Sequence, residues 1–204
     1  MYIPKFFKVS NIEEIQVFIQ HNSFGTLVTT RNGKPIATHL PFQLVQNGTE
    51  AYLTGHVAYG NPQWRTLGDN EDVLVMFQGP HAYISSSWYG HENVPTWNYQ
   101  AVHIYGSASL LTKEEMEQDL ISLLQKYEKH RENPILWETL TTSLLEKELK
   151  GIVGFKIKIK EMQAASKLSQ NRNESDYHSI IQHLYKEKDI QSKEMAKVME
   201  KRIN

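Results

Sequence analysis

The sequence predicts an α+β fold, mainly β, with helices at its periphery, and three observations carry that reading. Short runs of strand formers are separated by Asn-Gly and Gln-Asn-Gly turns in the first third of the chain. Two segments with helical spacing follow Ser/Thr-x-x-Glu boxes. Between those helices, Val73 to Gly106 gathers two of the four Trp, four of the ten Tyr and three of the nine His, and the rest of the chain is organised around it.

In order, Ser10-Asn11-Ile12-Glu13 is a capping box, and Ile12, Ile15, Phe18 and Ile19 share one helical face, so a first helix runs to about His21. Gly25 to Thr30 reads as a strand and Asn32-Gly33 as a hairpin turn. Ile36 to Val45 returns as a strand interrupted by Pro41, which suggests an edge or a bulge. Gln46-Asn47-Gly48 turns the chain into a third strand, Ala51 to His56. Asn61 then caps a short helix with Pro62 in its first turn and Trp64 and Leu67 facing inward. Gly68 to Asp72 turns into Val73 to Phe77, an unbroken apolar run suited to a strand buried on both faces.

Gln78-Gly79-Pro80 reads as a turn. From Tyr99 the chain alternates as a second strand, which Gly106 closes. The loop between carries Tyr83, Trp88, Tyr89, His91, Pro95 and Trp97, too many rings for a solvated connection. Self-packing accounts for any single ring, whereas the cluster as a whole reads as an interface with a ligand at its edge.

Thr112-Lys113-Glu114-Glu115 is a second capping box, with Met116, Leu120, Leu123, Leu124 and Tyr127 behind it. Pro134 opens another helix carrying Trp137, Leu140, Leu144, Leu145 and Leu149, and the two helices form a hairpin. In Gly151 to Lys160 apolar residues alternate with Lys156, Lys158 and Lys160, giving a strand with one buried and one basic face. The lysines suit the guarded face of an edge strand. Lys167 to Arg172 has no periodicity but is dense in hydrogen-bonding side chains. Tyr177 to Lys186 and Ser192 to Lys201 are charged helices with thin apolar stripes, expected as an appendage or dimer arm rather than core.

Composition excludes several functions. The chain has no Cys, hence no disulfide, thiolate catalysis or Cys-based zinc site; MYIPKFFKVS shows neither the apolar core nor the small-residue cleavage site of a signal peptide, and the longest apolar runs are only a few residues, so no leader or membrane span is expected. A cytoplasmic protein is expected. A net charge of -1 with a pI near 6.8 gives no global basic field, so any DNA binding needs a local cluster. No His spacing suits a metal, Ser85-Ser86-Ser87 has no nucleophile elbow, and nucleotide-binding glycine motifs are absent. What remains is Thr54-Gly55-His56-Val57-Ala58 leading into the Asn61 cap. A helix start with a nearby His, Thr and exposed amides suits a phosphate, although a plain cap explains the same residues.

The words MYIPKFF, GTLVTT, KPIATHLPF, GHVAYGNPQW, VLVMFQGPHAYISSSWY, VPTWNYQAVHIYG and KLSQNR resemble the PaiB family of FMN-binding negative transcriptional regulators, over most of the chain. Ser86 stands where that family usually has Pro, and Ala164-Ala165-Ser166 is atypical. The resemblance implies an FMN-binding split β-barrel, similar to pyridoxamine phosphate oxidase-like flavoproteins, binding FMN at a homodimer interface. It implies a barrel domain over 1–172 with the helical hairpin inserted at about 112–150, and an appendage over 173–204. Thr38, His39, Leu40 and Pro41, with Thr54, Gly55, His56, Ala58 and Asn61, would line the flavin and its phosphate. Trp97, Asn98 and Gln100 would approach from the partner chain. The implied function is negative regulation of sporulation and of protease and other degradative-enzyme genes, with DNA bound weakly or indirectly, since nothing reads as a recognition helix. The alternative is a flavin-dependent oxidoreductase, for which no electron-donor site is visible. Haem in the same barrel lacks an assignable axial ligand.

Overall fold

The computed structural model describes residues 1–68 and 72–202. Among the described residues eight strands, β1 (Lys8–Val9), β2 (Phe24–Arg31), β3 (Lys34–Pro41), β4 (Gln43–Asn47), β5 (Glu50–Ala58), β6 (Asp72–Ile84), β7 (Thr96–Leu110) and β8 (Ile152–Lys167), form one antiparallel sheet. Its order is β3-β2-β6-β7-β8-β5-β4, with β1 paired to the end of β8. The helices are α1 (Ile12–His21), α2 (Lys113–Glu128), α3 (Thr142–Leu149), α4 (Glu174–Lys186) and α5 (Ile190–Lys201). The chain divides into two compact units, 1–22 with 77–103 and 163–204, and 23–76 with 104–162.

In the second unit, Asn32 and Gly33 both adopt positive φ (52° and 76°), as a two-residue hairpin turn matched to strand twist demands. The returning strand breaks at Phe42, one residue after Pro41, and resumes as β4. Phe42 and Phe155 pack edge to face at 6.1 Å among Leu27, Leu53, Val57, Val75 and Ile157, all buried. Each such side chain contributes about 1.5–3 kcal/mol. Gly106 does not close its strand: β7 continues to Leu110, and a Cβ at Gly106 would stand 2.3 Å from the Lys158 carbonyl oxygen, so close approach to β8 selects the glycine. β8 is interior to the sheet, not an edge. Its lysines are paired instead, Lys156 with Glu115 at 2.5 Å, Lys158 with Glu50, and Lys160 with Asp72 at 2.6 Å. The capping box of α2 forms as read, but Pro134 opens no α-helix. A single 3-10 turn, Trp137–Thr139, precedes α3 at Thr142. The turn expected from Gly68 to Asp72 falls at 69–71, outside the described residues.

In the first unit, the N-cap of α1 is Asn11, one residue past the expected Ser10, and it accepts from the Glu14 amide at 3.0 Å. Gln78-Gly79-Pro80 is not a turn but lies inside β6. A Cβ on Gly79 would meet the Phe18 ring at 2.8 Å, so close approach of that ring rather than a turn selects the glycine, and β6 pairs with β2 through Leu74, Val75 and Met76, before Pro80. Ala164 and Ala165 are buried where β8 pairs with Val9 and Lys8 of β1.

The C-terminal helices are core rather than appendage. Ile180, Leu184, Met195, Ala196 and Met199 are wholly buried in a cluster with Ala82, Ile84, Tyr89 and Leu168. The same helices cover much of the aromatic loop. Trp88 stacks on His183 at 5.3 Å, the Ser179 hydroxyl donates to the Trp88 carbonyl at 2.7 Å, and the Gly90 amide donates to Asp176 at 2.8 Å. Tyr83, Val94 and Trp97 stay exposed.

Candidate functional site

In the second unit the expected flavin-lining residues come from β3, β5 and a 3-10 turn, Pro62–Thr66. Leu40, Pro41 and Gly55 meet: a Cβ on Gly55 would lie 3.1 Å from Leu40 and 3.2 Å from the Pro41 carbonyl oxygen. Thr38 and Asn61 also meet, with Asn61 Nδ2 donating to Thr38 Oγ1 at 3.0 Å. Both are organised by Gln63, which is 2% exposed. Its Oε1 accepts from Thr38, and its Nε2 lies 3.1 Å from Thr29 Oγ1 and 3.3 Å from both the Leu27 and Ile36 carbonyl oxygens. A 3-10 period of three turns Gln63 and Thr66 inward together, which is why they are buried while Trp64 is only half-buried.

Three of the amides expected to be exposed at this turn are engaged. Tyr59 N–H donates to the Gly151 carbonyl at 2.8 Å, Asn61 N–H to the Ala58 carbonyl at 2.8 Å, and Gln63 N–H to Asn61 Oδ1 at 3.0 Å. Five residues of 3-10 helix also give little dipole. Anion-binding capacity on this face therefore rests on side chains: the second Asn61 Nδ2 hydrogen, exposed His39 stacked on Phe24 at 6.5 Å, and exposed Arg65, whose guanidinium lies 4.5 Å from the Trp64 ring centre.

His56 belongs to a different group. Along β5 it shares a face with Thr54, whose hydroxyl donates to Asp119 Oδ1 on α2. Gln43 Nε2 donates to the same oxygen at 2.7 Å. Burial holds the His56 imidazole below its ordinary pKa, against the pull of the Asp119 carboxylate. Burial likewise pushes the Asp119 carboxyl up, against hydrogen bonds from Thr54 and Gln43 and the charge of His56.

Trp97, Asn98 and Gln100 belong to the first unit. Trp97 is 54% exposed and packs against His81 and Tyr83, with ring centres 6.3 and 6.0 Å away. Asn98 is fully buried: it accepts from the Ser169 hydroxyl at 3.0 Å and its Nδ2 faces Met199 Sδ at 3.5 Å. Gln100 donates to Ser166 Oγ at 3.2 Å. Of these three, Trp97 alone presents a largely free surface, because Asn98 ties β7 to the KLSQNR loop and α5. Sequence reasoning missed Gln63, Arg65 and Asp119. A period of three through Pro62–Thr66 could have marked Gln63, whereas no local signal marks Asp119 on an otherwise surface-like helix.

Comparison with known proteins fits this geometry. A family model described as "Putative FMN-binding domain" matches residues 1–161. A Bacillus subtilis protein, "Protease synthase and sporulation protein PAI 2", is 64% identical over 203 residues, covering 100% of this chain and 98% of that protein. The chain belongs to the PaiB family of FMN-binding-domain proteins. Among solved structures, the flavocytochrome Anf3 of Azotobacter vinelandii aligns with a TM-score of 0.63 at 15% identity, covering 87% of this chain and 78% of that one. The FAD and haem binding protein of Mycobacterium smegmatis aligns with a TM-score of 0.60 at 14% identity, covering 84% and 78%. At those identities the likeness establishes the fold, a split barrel with peripheral helices. Within the second unit the side chains fit an FMN in kind, with the exposed Phe24 ring suited to a flat ring system and donors at Asn61, His39 and Arg65 suited to a phosphate. No helix among the described residues is long and apolar enough to cross a membrane.

Proposed function

We propose that the protein is a PaiB-type FMN-binding regulator that represses sporulation and protease or other degradative-enzyme genes in the cytoplasm. The observation carrying this reading is 64% identity, along the whole chain, to the Bacillus subtilis protein named for protease synthesis and sporulation. The flavin domain spans 1–172, with the helices of 173–204 packed into the core of its first unit. Thr38 to Pro41, Gly55, Ala58 and Asn61 line the flavin, while Thr54 and His56 face the Asp119 group instead, and the phosphate sits on the side chains of Asn61, His39 and Arg65, since the Tyr59, Asn61 and Gln63 amides are engaged. Trp97 of a second copy covers the ring, in a homodimer built on the apolar surface left at Tyr83, Val94 and Trp97. When bound, FMN supplies one- and two-electron redox chemistry, through which such a regulator can sense a ligand or electron donor. DNA binding is weak or indirect, because Lys156, Lys158 and Lys160 are each already matched by a carboxylate.

Absorbance of the purified protein at ~350–500 nm and titration with FMN and riboflavin test the flavin reading. The expected result is a flavin spectrum and tighter binding of FMN than of riboflavin, with Asn61→Ala weakening FMN by ~1–3 kcal/mol. Equal affinity for the two flavins would remove the phosphate site, and turnover of reduced nicotinamide by the flavin-loaded protein would turn the conclusion to an oxidoreductase.

A further inference from the structure

The second unit holds a cavity of about 470 Å³ beside α2, within the range of small-molecule sites. Its walls include Val45, Tyr52 and Leu111, which give it an apolar body. At one side stands Asp119, only 9% exposed. Both hydrogen bonds that this carboxylate receives, from Thr54 and Gln43, go to Oδ1, and among the described residues none goes to Oδ2. A carboxylate on the lining of a cavity whose second oxygen takes no hydrogen bond from the described residues keeps one acceptor free for a ligand's donor. The other charges there strengthen the bias. Glu114 and Glu115 also line the cavity, and Lys156, the one lining cation among the described residues, is held by Glu115 at 2.5 Å. Three carboxylates against one ammonium make the site net negative, which disfavours a phosphate and favours a cation.

We propose that this cavity binds a small organic ammonium ion, with its N–H groups on Asp119 Oδ2 and its apolar body against Val45, Tyr52 and Leu111. The ligand class follows from the pairing of one buried anionic acceptor with apolar walls: an inorganic cation would leave the walls wet, and a neutral molecule would leave the carboxylate unpaired. The site does not depend on the flavin, whose phosphate the same charges would repel.

The test is titration of the full-length protein with 2-phenylethylammonium and with its neutral counterpart 2-phenylethanol, read by calorimetry and by ligand-observed NMR. Saturable one-to-one binding of the ammonium is expected, with the alcohol weaker by roughly tenfold or more. Asp119→Asn keeps an Oδ1 acceptor for Thr54 and Gln43 and should weaken the ammonium by at least about tenfold. Ser122→Phe, at an exposed position on the same lining, should block the cavity while leaving the barrel core untouched, so a folding defect in the first variant would not decide the matter. Equal binding of ammonium and alcohol, or unchanged ammonium binding in a folded Asp119→Asn or Ser122→Phe protein, would overturn the assignment.

Discussion

Replacing Gln63 with Leu tests whether one buried amide organises the 3-10 turn against β2 and β3. Leu approximates the volume of Gln but has neither donor nor acceptor. The substitution strands the Thr38 hydroxyl, which donates to Gln63 Oε1, and removes two Nε2 hydrogens that serve Thr29 Oγ1 and the Leu27 and Ile36 carbonyl oxygens. Three hydrogen bonds at about 0.5–1.5 kcal/mol each give a gross loss of about 1.5–4.5 kcal/mol. Gln63 is nearly fully buried, so water cannot replace them, and the extra apolar burial of Leu offsets about 1 kcal/mol. The net expectation is ~0.5–3.5 kcal/mol, centred near ~2 kcal/mol, read as a lower urea midpoint at unchanged m-value. FMN affinity should fall with it, because Thr38 and Asn61 lose the group that positions them. A stability change below ~0.5 kcal/mol would refute the network as an organising element.

Other substitutions probe separate parts of the argument. Gly106→Ala should cost about 3 kcal/mol in urea unfolding or abolish folding, because its Cβ meets backbone at Lys158 that cannot yield; a near-neutral variant would refute the close approach of β7 and β8. Asn98→Ala should lower stability by ~1–3 kcal/mol and leave Asn61-dependent FMN binding in place, whereas loss of flavin without loss of stability would restore Asn98 as a direct contact. The raised carboxyl of Asp119 contributes stability that is full below its unfolded pKa and lost as pH rises through its folded one. Wild type should therefore gain on Asp119→Asn as pH falls from neutral toward the carboxylate range, and denaturant curves showing a pH-independent difference would contradict the buried charge. Gel shifts at low and physiological salt should show weak, salt-sensitive DNA binding, and nanomolar sequence-selective binding by the pure protein would establish direct repression.

The features legible in the sequence are those whose cause lies within a few residues. Asn32-Gly33 takes positive φ because of its own two residues, and Thr112 and Glu115 close a capping box across one turn. The family words are equally local, and they carried the fold class and the FMN domain. What the tertiary structure decided involves partners far apart in the chain. Gly79 and Gly106 looked like turn glycines, yet each is small because Phe18 and Lys158 approach it. The charged C-terminal helices looked peripheral, yet their thin stripes meet Ala82, Ile84 and Leu168 and complete a core. Asn98 reads as a ligand-facing polar residue until Ser169 and Met199 enclose it, and Asp119 as a solvated helix residue until Thr54 and Gln43 converge on it. Turns and caps are closed by neighbours in sequence, whereas burial is a property of whatever the fold brings alongside, and no local pattern specifies that.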